Sequence, residues 1–281
     1  MLHIATVHWQ TDRWIDVQLK YLAQNLSQPY RVYAFLSENL ASHSSKYFYA
    51  CKENVASHAV KLNILADLIT FSAQDLNDTL IFLDGDAFPI KPIDSFLSEC
   101  LLYHPLAAIR RDENIVDQQP HPSFCVTTVG FWKSIKGDWK EGATWETPSG
   151  AITDVGGNLL QQLKSGGVSW LPILRSHSTP SHPLWFGVYG GIIYHHGSGF
   201  RIPISRVDRE LAMTRLQNGN FFQQLLYLIF TPFPQRIRYL LLRYSGSFRK
   251  IIRSSYTTGN QIYGDIVAGI PFWEKLSNYK G

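Results

Sequence analysis

The feature that most constrains the fold is a nearly continuous apolar run over residues 78–83, DTLIFL, which ends abruptly in Asp84-Gly85-Asp86. Short apolar runs of this kind predict a strand buried on both faces, as in the parallel sheets of α/β proteins. Ligands of such sheets bind outside the carboxyl ends of the strands. The run therefore predicts a central parallel strand with two carboxylates at the ligand-binding edge of its sheet.

Strands and helices alternate around this run. The elements predicted before it are strands at 2–7 and 31–36 and helices at 12–26 and 57–68, the second helix with Ser57 as its N-cap. The elements predicted after it are strands at 107–109, 124–129 and 187–194 and a helix at 154–163. This alternation predicts an α/β fold with a mixed, mostly parallel sheet flanked by helices.

The chain is predicted to divide into an α/β domain at residues 1–206 and a helical, basic, aromatic-rich extension at residues 207–281. Its 281 residues are 45% hydrophobic and 17% charged, which is enough to bury a large core and excludes a disordered chain. Between Arg201 and Arg253, ten Arg or Lys residues face only two acidic residues. This basic region fits a surface that rests on an anionic membrane or holds a lipid-linked acceptor, and it fits equally a helical lobe packed on the core.

The cysteine count and the first residues bear on the cellular compartment. Three cysteines without a C-x-x-C spacing predict reduced, buried thiols rather than a disulfide framework or a cysteine metal site. The beginning of the chain lacks the long apolar core of a signal peptide. We therefore expect a cytoplasmic protein, with peripheral contact at the inner face of the membrane as the option that the basic region adds.

The two aspartates after the apolar run suggest a site for a divalent cation. Two short carboxylates on a tight turn can share a hard cation that also binds phosphate oxygens. Gly85 between them would let a ligand approach the backbone closely. The alternative is an ordinary surface turn, but the apolar strand before it and the general use of loops for binding favour a functional pair.

Two segments resemble a known group of enzymes. FLDGDAFPI resembles the metal-binding Asp-x-Asp of GT-A-fold glycosyltransferases. YHHGSGFR resembles the C-terminal His-x-x-Gly segment that supplies a third metal ligand in the retaining family that includes glycogenin and bacterial galactosyltransferases. His196, Gly199 and Arg201 match the spacing of that segment, although the usual Lys-Pro-Trp ending is missing.

The resemblance covers residues 2–201 in element order, and it implies a GT-A-like, Rossmann-related fold and a metal-dependent hexosyltransferase. The implied donor is a nucleoside-diphosphate sugar, most readily a UDP-sugar, with Arg201 beside it. The implied acceptor is a hydroxyl of a glycan or of a lipid-linked molecule, as in the synthesis of glycans, polysaccharides or glycolipids. No nucleic-acid partner is expected.

A histidine is the expected third metal ligand. Carboxylate and imidazole ligands suit Mn²⁺, with Mg²⁺ as second choice. Neighbouring residues on a strand point to opposite faces, so at most one of His195 and His196 should bind the metal. The spacing favours His196, with His195 as the alternate, and both residues could instead be ordinary polar residues at a strand end.

The same resemblance places the first strand–helix loop at the donor nucleotide. Thr6 and Trp9 would contact the base and Arg13 a phosphate, although Trp9 could equally pack in the core. His58 and Lys61 lie one helical turn apart and share a face. Lys61 would face the donor diphosphate, unless that face is simply solvated.

A carboxylate near the acceptor would complete the site. An inverting enzyme needs a base within reach of the acceptor hydroxyl, whereas a retaining enzyme often lacks one, and the sequence leaves both open. Asp154 is the first candidate for the base or for acceptor binding, and Glu146 is the second. Asp154 could instead be a helix N-cap.

Three other readings of the Asp-x-Asp pattern compete with this one. A haloacid-dehalogenase-like phosphatase also carries Asp-x-Asp after an apolar strand, with the first Asp as nucleophile. That motif normally lies on the first strand, whereas two strand–helix units precede it here. A nucleotidyltransferase would need a Gly-rich phosphate loop near the beginning of the chain, which is missing. A non-catalytic membrane- or carbohydrate-binding protein would not need two aspartates and a histidine to converge.

Overall fold

The computed structural model describes residues 1–114, 116–146, 151–177, 185–197, 206–242 and 246–278. The strands among them are β1 (Leu2–His8), β2 (Tyr30–Leu36), β3 (Tyr49–Cys51), β4 (Thr79–Asp84), β5 (Ala87–Pro89), β6 (Leu106–Ile109), β7 (His121–Thr128), β8 (Leu171–Ile173), β9 (Gly187–Tyr189) and β10 (Ile193–His195). The α-helices are α1 (Ile15–Asn25), α2 (His58–Ser72), α3 (Asp94–Tyr103), α4 (Val129–Ser134), α5 (Gly157–Ser165), α6 (Arg206–Gln217), α7 (Phe221–Phe230), α8 (Gln235–Leu242) and α9 (Gly246–Val267). Residues Glu38–Lys46 and Phe272–Asn278 form 3₁₀ turns.

The main sheet has seven strands in the order β3-β2-β1-β4-β7-β6-β8. The pairs β3–β2, β2–β1, β1–β4 and β6–β8 are parallel, and β7 runs antiparallel to both of its neighbours. The predicted mixed, mostly parallel α/β sheet is confirmed. Because β4 lies in the middle of this order, its end can face strands and loops from both sides.

Strand β4 is buried on both faces, as its apolar run predicts. Leu80 and Phe82 pack in a core with α2, α4 and α5, whereas Ile81 and Leu83 pack in a second core with α1 and α3. Alternation of side chains along the strand sends neighbouring residues into opposite cores. Helices therefore cover both faces of the sheet and leave its edge at Asp84 for other contacts.

The start of α2, the helix that follows β3, is set by its N-cap residue. Ser57 caps α2, since its hydroxyl accepts the backbone N–H of Val60 at 3.4 Å, as predicted. The helix extends to Ser72, four residues past the predicted end at Leu68.

Two predicted elements were wrong in their bounds. Residues 187–194 form the hairpin β9–β10 instead of one strand, because Gly190 and Gly191 take left-handed backbone angles of 58° and 68° and reverse the chain. The predicted helix from Asp154 begins only at Gly157, after an N-cap at Gly156 with φ 101°. A carbonyl oxygen of Pro120 would lie 2.0 Å from a Cβ at that position, so glycine is required there.

The chain forms two compact units, one of residues 1–177 and 187–200, the other of residues 178–186 and 201–281. The first unit carries the seven-stranded sheet and a small sheet of order β5-β10-β9. The second unit carries α6–α9, and its core includes Ala212, Met213, Leu216, Phe230 and Leu242.

The three cysteines are free and buried, as predicted. No helix in the described part of the chain has the length and hydropathy that a bilayer crossing requires.

Candidate metal centre

Asp84, Asp86 and His195 converge at the end of β4. Strand β4 ends at Asp84, Asp86 lies just before β5, and β10 pairs antiparallel with β5 so that His195 stands opposite Ala87. His195 Nε2 lies 3.4 Å from Asp86 Oδ1 and 3.6 Å from Asp84 Oδ2. One ligand atom from each of the three residues lies within 4.8 Å of the others. The predicted carboxylate pair and one histidine thus form one cluster.

Gly85 is required at this turn by packing within the protein. A Cβ at residue 85 would lie 2.4 Å from the carbonyl oxygen of Val7 and 2.8 Å from Nδ1 of His8. The sequence suggested that Gly85 lets a ligand approach the backbone closely. In the structure, the close neighbour of Gly85 is the end of β1. The lack of a side chain lets β1 and the aspartate turn lie side by side.

The three side chains carry a charge pattern that suits a cation. Burial raises the pKa of Asp86, but the charge and hydrogen bond of His195 outweigh it and hold that pKa at about 2. Burial lowers the pKa of His195, yet the charge and hydrogen bond of Asp86 and the charge of Asp84 raise it above its ordinary value. Two carboxylates and an imidazole form a donor set that fits a divalent cation.

The preferred metal ligand of the sequence analysis, His196, points away from the carboxylates. Its Nδ1 lies 2.9 Å from the hydroxyl of Tyr194, and its ring centroid lies 4.5 Å from that of Trp14. Burial lowers the pKa of His196 to about 3, so its imidazole is neutral. The structure therefore reverses the order of preference: His195 joins the cluster, because side chains of successive residues at the end of β10 face opposite sides.

Helix α2 places His58 against the cluster and Lys61 one turn further along the helix. His58 Nε2 lies 2.9 Å from Asp84 Oδ1. Lys61 Nζ lies 3.0 Å from the ring centroid of Trp9, and burial lowers the pKa of Lys61 to about 8. The predicted residues Trp9, His58 and Lys61 thus lie together, with the lysine covering one face of the indole.

Thr6 and Arg13 have other surroundings than the sequence suggested. Thr6 is fully buried and donates its hydroxyl to Gln18 Oε1 at 3.1 Å, so we correct its assignment as a base contact. Arg13 is half-buried, with its guanidinium carbon 5.8 Å from the ring centroid of Trp14. The positive charge of Arg13 contributes to the low pKa of His196, so Arg13 lies on the same side of β10 as His196.

Gln18 is a site residue that the sequence analysis missed. Its side-chain amide donates to the carbonyl oxygens of Asp84 and Ala87, both at 2.8 Å, and it is fully buried. Its Oε1 also lies 3.1 Å from His8 Nε2. The signal was present, since Gln18 lies one turn after Trp14 on the mostly apolar inner face of α1.

Asp154 is held by an arginine. Arg111 Nη2 donates to Asp154 Oδ2 at 2.7 Å and to the fully buried Asp117 Oδ2 at 2.9 Å. The positive charge of Arg111 also lowers the pKa of His195, against the larger effect of the two aspartates. Asp154 accepts the N–H of Val155 and is not a helix N-cap, because that position belongs to Gly156. Arg111 thus fixes a carboxylate that remains partly exposed.

The remaining predicted residues lie apart or outside the described residues. Glu146 is exposed, next to the isolated bridge between Trp145 and Ile152, and does not belong to the cluster. Gly199 and Arg201 lie outside the residues that the structure describes.

His121 is a second residue that the sequence did not reveal. Its ring centroid lies 5.9 Å from that of His195, and its Nδ1 lies 2.8 Å from the hydroxyl of Ser123. Burial, and then the charge of Arg111, lowers its pKa well below the ordinary value, so the ring is neutral. His121 begins β7, whose antiparallel pairing with β4 brings it to the same edge, and this pairing was not predicted.

No family model matches the sequence, and no curated protein matches it. Among solved structures, the glycosyltransferase GlyE of Streptococcus pneumoniae TIGR4 is 13% identical over 48% of this chain and 36% of its own, with a TM-score of 0.38. S. aureus TarS is 12% identical over 50% and 30%, with a TM-score of 0.36. HddC from Yersinia pseudotuberculosis is 9% identical over 46% and 77%, with a TM-score of 0.33.

The structural neighbours thus include a glycosyltransferase, and the chain spans about a third of the length of the GlyE and TarS structures. TM-scores below 0.5 with such low identities do not place the chain in a family.

Proposed function

We propose that this protein is a metal-dependent glycosyltransferase of the GT-A type, which moves a hexosyl group from a nucleoside-diphosphate sugar to a hydroxyl acceptor. One observation carries the proposal: Asp84, Asp86 and His195 converge at the end of the central strand β4, with ligand atoms within 4.8 Å of one another. Ligand sites of open α/β sheets lie at such strand ends.

The donor set fits a metal ion that binds phosphate oxygens. Asp86 stays ionised because its pKa is held at about 2, and the nitrogen of His195 that lies beside both carboxylates is Nε2, at 3.4 Å from Asp86 Oδ1 and 3.6 Å from Asp84 Oδ2. Asp84, Asp86 and His195 would hold the cation, with Mn²⁺ as first choice and Mg²⁺ as second. When bound, the cation supplies a positive charge that stabilises a departing nucleoside diphosphate.

The residues of α2 and of the β1–α1 loop would bind the donor. Trp9 is half-buried and offers an aromatic ring in the β1–α1 loop, which suits stacking on a nucleobase such as uracil. Lys61 lies against that ring and can add a positive charge for the diphosphate. His58, at 2.9 Å from Asp84 Oδ1, orients this carboxylate. Arg201 stays a proposed donor contact on the spacing of the sequence alone.

Asp154 is the proposed base or acceptor ligand. Arg111 holds one oxygen of its carboxylate, and the side chain remains 42% exposed, so an acceptor hydroxyl can reach it. A carboxylate that is fixed by an arginine and still open to solvent is suited to accept a proton from that hydroxyl. The proposed acceptor is a hydroxyl of a glycan or of a lipid-linked molecule.

The test is a screen of nucleotide sugars for Mn²⁺-dependent release of nucleoside diphosphate. We expect release from one donor, most readily a UDP-sugar, and loss of at least about a hundredfold in turnover for Asp86→Asn, because one charge of the metal site is removed. Asp67→Asn changes an exposed aspartate of α2 and should keep full turnover.

Two results would contradict the proposal. Full turnover of Asp86→Asn would remove the metal site from the reaction. Hydrolysis of a generic phosphate ester, without stabilisation of the protein by Mn²⁺ and a nucleoside diphosphate, would favour the phosphatase that shares the Asp-x-Asp pattern.

A further inference from the structure

Helix α7 presents an apolar face to solvent. Phe221, Phe222, Leu225, Leu228 and Ile229 are 83%, 66%, 43%, 66% and 48% exposed. Their spacing of three and four residues places them along one side of the helix. The helix carries no charged residue at all. A surface helix of a soluble protein normally turns polar residues outward, so this face requires an explanation.

The exposed face is not the inner face of α7. Leu226, Tyr227 and Phe230 pack on the opposite side against a core that includes Met213 and Leu216 of α6. The core of the second unit is therefore supplied by other residues of the same helix. Covering the outer face would need a further partner.

Exposed apolar residues recur in the turn after α7 and in α8. Phe233, Ile237 and Leu240 are 40%, 45% and 53% exposed. Arg238 holds this turn, because its Nη2 donates to the carbonyl oxygens of Thr231 and Phe233 at 3.0 and 3.3 Å. The outer residues of α7 and these three residues of the turn and α8 are called the α7–α8 face below.

The unit that carries this face is basic. Residues 201–253 contain ten Arg or Lys and two acidic residues. Of the cations whose side chains are described, Arg215, Arg249, Lys250 and Arg253 are exposed. A basic unit that exposes an apolar helix face is complementary to the interface of a bilayer with anionic headgroups, where apolar side chains enter the acyl boundary and cations bind the headgroups.

We propose that the α7–α8 face is a membrane-docking surface that lies in the interface of a bilayer containing anionic lipids. A protein partner with an acidic rim, or a second copy of this chain, would cover the same side chains, but the absence of any charged residue on α7 and the ten cations of the segment favour the lipid interface. The inference goes beyond the proposed transferase reaction and does not depend on it.

The experiment is a flotation assay of the full chain with vesicles. One set of vesicles contains phosphatidylcholine alone, and the other contains equal parts of phosphatidylcholine and phosphatidylglycerol. We expect the protein to float with the anionic vesicles and to stay largely free of the neutral ones. The double variant Phe222→Gln with Leu228→Gln should lower the bound fraction on anionic vesicles by at least about tenfold, because two exposed anchors are lost.

A matched control uses exposed apolar residues of the first unit. Phe71 and Leu102 are 91% and 76% exposed, so the double variant Phe71→Gln with Leu102→Gln removes as much exposed apolar surface elsewhere. Its vesicle binding should equal that of the unchanged protein. Equal loss in both double variants, or no binding of the unchanged protein, would overturn the proposal.

A site-specific probe separates insertion from mere adsorption. The natural cysteines are buried, so a Leu228→Cys variant can be labelled selectively with an environment-sensitive fluorophore. We expect a blue shift on addition of anionic vesicles for Leu228→Cys and none for Phe71→Cys. A shift that depends on protein concentration without vesicles would identify a second copy as the occupant and would overturn the lipid assignment. Because neither readout needs turnover, failure here leaves the transferase proposal standing, and the reverse also holds.

Discussion

At the scale of single residues, the two adjacent histidines at the end of β10 have entirely different surroundings. His195 points at two carboxylates, whereas His196 contacts Tyr194 and Trp14. The choice between them could not be made from spacing, because spacing does not define which face of a three-residue strand meets β5. The pairing of His195 with Ala87 decides it.

This difference predicts opposite effects of the same substitution. His195→Gln should weaken Mn²⁺ binding by at least about tenfold, because an imidazole ligand is lost. His196→Gln should leave Mn²⁺ affinity within about twofold while lowering the stability of the fold, since a buried ring contact with Trp14 is lost. Calorimetric titration with Mn²⁺ and thermal unfolding measure the two effects. A larger loss of affinity in the His196 variant would return the metal ligand to that residue.

Lys61 carries a charge that the fold disfavours. Burial lowers its pKa to about 8, below its ordinary value of 10.5. Between these two pH values the unfolded chain binds more protons than the folded protein, so stability rises with pH across this window. Below about pH 8, the charged lysine lowers the free energy of unfolding by its full amount. Such a loss of stability is expected where a lysine serves to bind an anion.

Replacing this lysine should therefore stabilise the protein in a pH-dependent way. We expect Lys61→Met to raise the free energy of unfolding relative to the unchanged protein near pH 7, and to lose most of that advantage near pH 10. Urea unfolding at the two pH values measures it, and affinity for a nucleoside diphosphate should fall in the same variant. An advantage that does not change with pH would show that packing, and not the charge, sets the effect.

At the scale of elements, α1 holds the aspartate turn through one buried amide. Gln18 reaches from the inner face of the helix to the carbonyls of Asp84 and Ala87, on either side of Asp86. The turn and β5 are thereby tied to the helix as well as to the sheet. We infer that Gln18 is a positioning residue for the metal cluster.

Gln18→Leu should destabilise the protein and loosen the cluster together. Two buried carbonyl groups would lose their donor, at a cost of about 1–3 kcal/mol each. We expect a lower unfolding temperature and weaker Mn²⁺ binding, with the ligands themselves unchanged. Gln24→Leu, on the exposed side of the same helix, is the control and should change neither quantity. Unchanged Mn²⁺ affinity in the Gln18 variant would reduce its role to stability.

The sequence predicted elements well where the apolar pattern was strong. The run ending at Asp84 identified the central strand, and Ser57 marked the start of α2. It failed where non-local contacts decide: the antiparallel pairing that brings His121 to the site, and the hairpin reversal at Gly190 and Gly191. Patterns along the chain report burial, whereas the partners that bury a residue follow from the topology of the sheet.

At the scale of the whole molecule, positive charge is unevenly distributed. The formal net charge is +4, and the segment 201–253 alone has ten cations and two acids, an excess of eight. The rest of the chain therefore carries 16 cations and 20 acids, an excess of four negative charges. Such a division predicts that the second unit is the one drawn to anionic surfaces.

Neutralising cations of α9 should weaken vesicle binding by an electrostatic route. The triple variant Arg249→Gln, Lys250→Gln and Arg253→Gln removes three exposed cations. At about 1 kcal/mol for each cation near an anionic bilayer, the loss of three cations should lower the partition coefficient by about a hundredfold. Flotation with vesicles of phosphatidylcholine and phosphatidylglycerol measures the change, and added salt should produce a similar loss in the unchanged protein.

The control for this prediction changes the net charge equally in the first unit. Lys20, Lys52 and Lys133 are exposed, and replacing all three by Gln also lowers the net charge from +4 by three units. If position rather than total charge governs docking, this variant should keep most of its vesicle binding, because the removed charges belong to the unit without the α7–α8 face. Equal losses in the two triple variants would mean that net charge alone attracts the protein to the vesicle. The apolar face would then have to account for insertion without a contribution from the position of the cations.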